Sequence, residues 1–396
     1  MMKNKIEAIY PLSPMQQGML FHYLDNGYSE IYFEQVNYIL QGNLDVEGFK
    51  KAWQQVMDRH AILRTLFTWE NLEKPVQLVQ RQVECPWSEQ DWRQYSHEEQ
   101  QKKLKAFLQA DRERGFQLKQ APLLRLNLIR IAQDTYHFTW SFHHLILDGW
   151  SVSLILGEVF AIYEASQQGQ DIHLQTSRPY RDYISWLQQQ DLSKAEKFWR
   201  QALKGSNPPT RLKVDRATAS ESNQRGGYNE QEIKLSRQTT SALQLLAQQY
   251  QLTLNTVVQG AWALLLSRYS GEEDVVFGAV VSGRPATLAG ADSMVGLFIN
   301  TLPVRGQVSP EKELIPWLKE LQVQQGEALQ YEYSPLVQVQ RWSDVPAGQP
   351  LFESILAFEN YPEDAFPLEE NRSLQLQRMP SVARTNYPLT VAIEPE

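Results

Sequence analysis

Two adjacent histidines, His143 and His144, are the side chains of this sequence best suited to chemistry. They belong to the stretch Ser141-Phe142-His143-His144-Leu145-Ile146-Leu147-Asp148-Gly149-Trp150-Ser151, and no other two of the seven histidines are adjacent. An imidazole titrates near neutral pH, so it can take a proton from a substrate or hold a substrate group by a hydrogen bond. Asp148 adds a carboxylate that can orient the loop or, with the histidines, bind a metal ion.

The elements around the pair predict a rigid support for it. Leu123–Ile131 and Thr135–Phe142 have the composition of two strands joined by a short turn. Val152–Ala165 has the apolar periodicity of an amphipathic helix. The histidines therefore stand where a strand ends, and Asp148-Gly149 makes the turn into the helix. Such a junction is a common place to present a reactive side chain.

Strand geometry predicts different roles for the two imidazoles, because successive side chains of a strand point to opposite faces. One imidazole should face a cavity and the other should pack behind it. A metal site is the rival interpretation, but opposed faces are awkward for one ion, and no cysteine or second histidine cluster completes a ligand shell. On one face we expect His144 with Tyr136, Phe138, Trp140 and Phe142, and on the other His143 with His137, Thr139 and Ser141.

The stretch from His143 to Gly149 resembles the HHxxxDG signature of condensation domains of nonribosomal peptide synthetases, which belong to the chloramphenicol acetyltransferase-like superfamily. Further segments resemble the other five motifs of that family in the right order, one motif being formed by two segments, so the resemblance covers essentially the whole chain. These segments are Tyr10–His22, Asp58–Phe67, Tyr180–Trp186, Phe277–Pro285 with Val295–Arg305, and Tyr333–Leu336.

The resemblance implies an α/β (α+β) fold of two chloramphenicol-acetyltransferase-like lobes, forming a V-shaped pseudo-dimer with a central tunnel. A length of 396 residues also favours two cores over one. The polar stretch Gln167–Ser177, which contains Gly169, is the best boundary between lobes. We therefore expect an N-terminal lobe at 1–170 with the histidine motif and a C-terminal lobe at 178–396. Family members continue beyond Glu396, so we expect the second lobe to be truncated.

The resemblance also assigns roles within the motif. His144 matches the catalytic position, where it would act as a general base or hold the attacking amine, and His143 would support the loop. Asp148 would be structural, pairing with Arg284 or Arg64, and a helix N-cap is an equally good interpretation of it.

Four further residues complete the set of candidates. Gly149 would allow close backbone approach or a positive φ, and its amide could stabilise an oxyanion. Candidates to line the tunnel are Ser282, Asn300 and Trp150. No metal is expected.

The reaction implied is amide formation between two thioester-bound substrates. An upstream carrier protein would present a donor acyl or peptidyl group on a 4'-phosphopantetheine arm, and a downstream carrier would present the acceptor amino acid. The domain itself would bind no cofactor, and an adenylation domain would be adjacent in the parent synthetase. The residues of Tyr10–His22 and of Leu145-Ile146-Leu147 are similar to those of the subclass that joins an L-configured donor to an L-acceptor.

Three alternatives remain open to different degrees. An epimerisation domain shares the fold and the histidine pair, but its Glu-rich motif is not evident here. A heterocyclisation domain would replace the histidines with aspartates, so that alternative is disfavoured. A non-catalytic module that only docks carrier proteins would usually have lost the histidine pair, whereas the pair is intact here.

Composition narrows the class of protein further. The net charge is −8 and no basic block is present, which argues against nucleic-acid binding. The single cysteine, Cys85, excludes an internal disulfide, fits a reducing cytoplasm and is best interpreted as a structural thiol. The sequence has no apolar run of the length of a signal peptide or a membrane span. We expect a cytoplasmic monomer.

Elements outside the motif are also predicted. Ser13-Pro14-Met15-Gln16 is a capping box with proline at the first helical position, and Asp45 should cap a second helix. Strands are predicted at Leu63–Trp69 and Leu389–Ile393, and a helix interrupted near Pro316 at Glu311–Glu332. We expect Gly205–Gly227 to be an exposed loop.

Overall fold

The computed structural model describes residues 5–25, 30–206, 209–211, 229–346, 348–360, 374–382 and 384–395. Its strands are β1 Ile6–Pro11, β2 Phe33–Gly42, β3 Thr65–Thr68, β4 Val76–Gln80, β5 Trp87–Asp91, β6 Leu124–Arg130, β7 Thr135–His143, β8 Asp274–Val281, β9 Asn300–Gln307, β10 Ser354–Phe358, β11 Leu374–Val382 and β12 Leu389–Ile393. Its helices are α1 Pro14–Asp25, α2 Val46–Arg59, α3 His97–Arg114, α4 Gly149–Gln167, α5 Tyr180–Leu187, α6 Leu192–Ala202, α7 Arg237–Tyr250, α8 Leu254–Ser270, α9 Leu314–Leu329 and α10 Leu336–Trp342. No helix of these ranges is long and apolar enough to cross a lipid bilayer.

The chain divides into two compact units that are not continuous in sequence. Unit 1 comprises the described residues within 1–189, 284–298 and 361–386, and unit 2 those within 190–283, 299–360 and 387–396. The units therefore do not follow the predicted division into 1–170 and 178–396. The polar stretch after α4 stays within unit 1, and two later segments return to unit 1 through contacts that local composition does not reveal.

Unit 1 is built on a five-stranded mixed sheet in the order β11-β2-β7-β6-β5, and a second sheet has the order β1-β4-β3. β7 lies between β2 and β6 and pairs antiparallel with both. Every side chain of β7 from Tyr136 to His143 is buried, although alternate residues are polar. The strand is thus covered on both faces, and the two faces differ in chemistry.

One face of β7 is an aromatic core. Trp140 packs against Trp53 of α2 with ring centroids 4.8 Å apart, and Phe138 packs against Phe49 at 5.4 Å. Phe49 and Phe138 are almost fully buried, and each such side chain contributes about 1.5–3 kcal/mol. This core holds α2 against the sheet.

The opposite face of β7 carries a buried polar network. The Ser141 hydroxyl donates to Asp111 of α3 at 2.5 Å, and Arg125 of β6 pairs with the same carboxylate at 2.8 Å. Gln35 of β2 donates to Asp111 at 3.0 Å. Buried polar groups of this kind need partners, and their hydrogen bonds fix the register of β2, β6 and β7 against α3.

Unit 2 is built on a four-stranded sheet in the order β12-β10-β8-β9. Phe277 of β8 points into a cluster with α8 and α9, whereas Val276 points into a second cluster with α6 and α10. This alternation shows that β8 is covered on both faces. α8 approaches α9 closely at Gly260, where an added Cβ would stand 2.3 Å from Leu318.

Most predicted elements outside the histidine motif are confirmed. The amide of Ser13 donates to the Gln16 side chain at 2.9 Å and the amide of Gln16 donates to the Ser13 hydroxyl at 3.1 Å, so the capping box is present. The Asp45 side chain caps α2 by accepting from the amide of Gly48. β12 has the predicted bounds.

Three predictions need a different description. Leu63–Trp69 is not one strand, because a 3₁₀ helix at Ala61–Arg64 precedes β3. The interruption expected near Pro316 is wrong, because Pro316 is the third residue of α9, where an amide would have no helical acceptor. The loop predicted at Gly205–Gly227 lies mostly outside the described residues.

Candidate active site

The histidine loop leaves the sheet at the end of β7 and is held on both sides. The amide of His143 donates to the carbonyl of Leu123 at 3.0 Å, and the amide of His144 donates to the carbonyl of Tyr32 at 2.8 Å. The following three side chains, Leu145, Ile146 and Leu147, are completely buried. They anchor the loop in the core, so the histidines stand on a rigid support.

His144 is half-buried, and its ring orientation is fixed by the loop. Its Nδ1 lies 2.6 Å from the carbonyl oxygen of Leu147. A carbonyl can only accept, so Nδ1 carries the proton and the lone pair of the neutral ring is on Nε2. Among the described residues Nε2 has no hydrogen-bond partner. This is the tautomer that a group accepting a proton through Nε2 requires.

His143 has the opposite arrangement. Its side chain is buried, its Nδ1 accepts the amide of Leu145 at 3.1 Å, and its ring packs edge-on against Tyr23 with centroids 5.8 Å apart. Burial and then the neighbouring His144 lower the pKa of His143 to about 3. His143 is therefore a neutral ring that holds the turn.

Asp148 is buried and joins three elements. One carboxylate oxygen accepts the amide of Ser151 at 2.8 Å and so caps α4, and it also contacts Arg284 at 3.2 Å. The other oxygen accepts the amide of Phe298 at 2.9 Å. The two interpretations of Asp148 from sequence, ion pair and N-cap, therefore hold together in one side chain.

Arg284 extends this junction into the segment 284–298. Its guanidinium donates to the carbonyls of Ala291 at 2.5 Å and Met294 at 2.8 Å. Its positive centre lies 4.1 Å from the ring centroid of Phe298. Burial lowers the pKa of Arg284, and Asp148 opposes that shift. The pair thus fastens a distant segment of the chain to the histidine loop.

Arg64 does not contact Asp148, so the prediction that offered it as the partner is wrong. Its guanidinium pairs with Glu7 of β1 at 2.7 Å and donates to the carbonyls of Met57 and Arg81 at 3.1 Å each. These bonds tie the end of α2 to β1 and to the end of β4. The pairing of β1 with β4 brings Glu7 and the carbonyl of Arg81 to Arg64. The position of Arg64 in the sequence does not reveal these partners.

The remaining predicted residues are placed as follows. Gly149 is the first residue of α4 and does not have a positive φ, so that part of its prediction is wrong. The Trp150 indole donates to the carbonyl of Asp292 at 2.8 Å. In unit 2, Ser282 is exposed after β8. Asn300 is buried, and its amide donates to the carbonyls of Glu332 and Ser334 at 2.6 and 2.8 Å.

Two residues that sequence reasoning did not assign also hold the loop. The side chain of Gln16 donates to the carbonyl of Leu145 at 2.9 Å, which fastens α1 to the histidine loop. The Ser151 hydroxyl donates to the carbonyl of Gly296 at 2.8 Å and accepts its amide at 3.0 Å. Gln16 was visible as the last residue of a capping box, whereas nothing in the sequence connects Ser151 to Gly296.

Comparison with known proteins identifies the family of this chain. The family model described as condensation domain matches residues 6–396. The chain is 49% identical over 388 residues to a component of the linear gramicidin synthase of Brevibacillus parabrevis, an alignment that covers 98% of this chain and 8% of that protein. It is 34% identical to surfactin synthase subunit 3 of Bacillus subtilis (strain 168), covering 99% of this chain and 30% of that protein.

The chain therefore belongs to the condensation-domain family, and its relatives are subunits of nonribosomal peptide synthetases. It spans less than a third of the length of each of these two relatives.

Solved structures agree on the fold. The starter condensation domain of rhizomide synthetase in complex with C8-CoA superposes with a TM-score of 0.78 at 20% identity, covering 98% of this chain and 87% of that one. The first condensation domain of the CDA synthetase gives 0.78 at 15% identity, covering 98% and 89%. The predicted α/β fold is confirmed, because the chain shares the fold of these two condensation domains.

Proposed function

We propose that this chain forms an amide bond between a donor acyl or peptidyl thioester and the α-amine of an acceptor amino acid, each carried on the phosphopantetheine arm of a carrier protein. The observation that carries the proposal is the tautomer of His144. Its Nδ1 is occupied by the carbonyl of Leu147 at 2.6 Å, which leaves the Nε2 lone pair available to an attacking amine. Membership of the condensation-domain family supplies the substrate class.

The chemistry asked of the site is modest, because a thioester is already activated. The amine must be aligned with the carbonyl carbon, and orientation can lower the barrier by about 7–11 kcal/mol. As the C–N bond forms, the nitrogen passes a proton to Nε2 of His144, and a positioned base adds typically about 10²–10⁴-fold. The proton then goes to the departing thiolate. No metal, nucleotide or covalent enzyme intermediate is required.

Other groups of the loop support this step. The first turn of α4 begins at Gly149, and the positive end of a helix favours negative charge that develops beside it. The Gly149 amide is therefore suited to stabilise the oxyanion formed from the donor carbonyl. His143 remains neutral and holds the turn, while Asp148 and Arg284 fix the loop against the segment 284–298.

The substrate proposal can be made more specific. We expect an L-configured donor and an L-acceptor, with carrier proteins upstream and downstream and an adenylation domain next in the parent synthetase. Relatives that are long synthetase subunits support such neighbours. Free amino acids should be poor acceptors, because without the tether the effective concentration at the site is lost.

The test is a mass-spectrometric assay with both carrier proteins loaded and a chelator present. We expect a condensed product on the downstream carrier, and at least a hundredfold slower formation by His144→Ala. Equal rates for His144→Ala and the parent would remove His144 from the chemistry. Carrier binding without turnover by the parent would indicate a docking module, and a faster reaction with a D-donor would overturn the stereochemical assignment alone.

A further inference from the structure

Glu34 of β2 is a carboxylate near the histidine loop with no structural role in the described residues. It is half-buried, and its backbone is the Cα partner of Phe142 in β7. Its carboxylate has no hydrogen-bond or ion-pair partner within the described ranges. A partly desolvated carboxylate without a partner costs stability, so its presence needs a reason outside the fold.

The strand register puts Glu34 on the same face as His144. Phe33 is the Cα partner of His143, and the amide of His144 bonds the carbonyl of Tyr32. Glu34 and Phe142 share a face, and His144 comes two residues after Phe142, so it returns to that face. Glu34 and His144 are then diagonal neighbours, about 7–8 Å apart at the backbone and within reach of long side chains.

The surroundings of Glu34 change the behaviour of its carboxyl group. Further along the same face, Val36 and Tyr38 are buried opposite Trp140 and Phe138 in the aromatic core. Burial raises the pKa of Glu34, and the electrostatic influence of the nearby His144 opposes that shift. Glu34 and His144 are thus two electrostatically coupled groups at one edge of an apolar face.

We propose that Glu34 binds the α-ammonium group of the acceptor amino acid and takes its first proton, so that His144 receives a neutral amine. This inference rests on the proposed condensation function and deepens it. Glu34 contributes a negative charge where a cation must dock, and His144 acts on the amine only after that proton has left. Glu34 therefore binds and deprotonates the ammonium group, and His144 acts during formation of the amide bond.

The proton balance requires such a group. An acceptor ammonium and a donor thioester give an amide, a thiol and one free proton. Loss of the first proton from nitrogen generates the nucleophile, and Glu34 takes it and later releases it to solvent. Loss of the second accompanies formation of the C–N bond and cleavage of the C–S bond, and His144 transfers it to the thiolate. His144 returns to its starting state, so the one net proton leaves through Glu34.

The test compares the pH–rate profiles of Glu34→Gln and the parent chain, with both carrier proteins loaded. Glutamine keeps the shape of the side chain but neither the charge nor the basicity. We expect a loss of about 10–100-fold at pH 6.5 that shrinks to less than about threefold at pH 9, where solvent deprotonates an α-amine with an ordinary pKa of about 8. Glu34→Asp should retain part of the activity at pH 6.5.

The matched control is Glu84→Gln, an exposed carboxylate between β4 and β5 that should leave the profile unchanged. Melting temperatures of all variants establish that each is folded. A loss in Glu34→Gln that is equal at every pH would show a merely structural role and overturn the proposal. A profile identical to the parent would overturn it too, with condensation intact. An inactive parent would instead refute the proposed function on which the inference rests.

Discussion

Truncation of Asp148 should separate folding from catalysis in the histidine loop. The side chain is 1% exposed and receives the amides of Ser151 and Phe298 and the guanidinium of Arg284, all within 3.2 Å. Asp148→Ala leaves these three donors without their acceptor. Loss of one member of a buried charge pair costs about 3–5 kcal/mol, and each orphaned amide costs about 1–3 kcal/mol.

The cost of breaking the charge pair and the costs of the orphaned amides do not add fully, because Arg284 keeps other hydrogen-bond acceptors. Its guanidinium still bonds the carbonyls of Ala291 and Met294 and the hydroxyl of Ser151. We therefore expect Asp148→Ala to lower the free energy of unfolding by about 3–5 kcal/mol in total. Asp148→Asn keeps one acceptor oxygen and should cost roughly half as much.

The measurement is urea unfolding of the variants under identical conditions, with the free energy taken from the midpoint at constant slope. A double-mutant cycle of Asp148→Asn and Arg284→Gln should give a coupling energy of about 0.5–3 kcal/mol. The control is Glu196→Gln, which breaks the exposed pair with Arg200 and should cost less than about 0.5 kcal/mol. An Asp148→Ala variant within about 1 kcal/mol of the parent would refute the structural role assigned to this carboxylate.

Three further outcomes are expected. His144→Ala should melt within about 1–2 °C of the parent, because the ring is only half-buried, and a larger drop would show that His144 has a structural role. Gly296→Ala should cost about 1–3 kcal/mol, because its Cβ would stand 2.1 Å from the Tyr180 ring, whereas Gly326→Ala meets no atom within 4 Å and should be neutral or stabilising. The pKa of His143 is about 3 in the folded chain and about 6.5 in the unfolded chain, so below pH 6.5 the unfolded chain binds the proton and the folded chain does not. The free energy of unfolding therefore falls by up to about 1.4 kcal/mol per pH unit as the pH is lowered. His143→Asn should lose this contribution in urea titrations between about pH 6.5 and 4, and an unchanged slope would contradict the assignment.

Local patterns were sufficient for the elements that carry the histidine motif. β7 and α4 follow from residues that alternate or repeat within a few positions, and Asp148 caps α4 through the amide three residues later. The capping box at Ser13 is equally local. Features of this kind depend on neighbours within one turn or one strand, so the sequence contains the physics that decides them.

The tertiary structure alone decided which distant residues meet at the loop. Arg284 and not Arg64 pairs with Asp148, because the segment 284–298 packs into unit 1 while Arg64 is already engaged by Glu7 and nearby carbonyls. The same holds for Glu34, which approaches His144 only through the register of β2 against β7. A strand can pair in several registers with many partners, and burial of the whole face selects one. That selection is a property of the packed chain, which no single segment of its sequence contains.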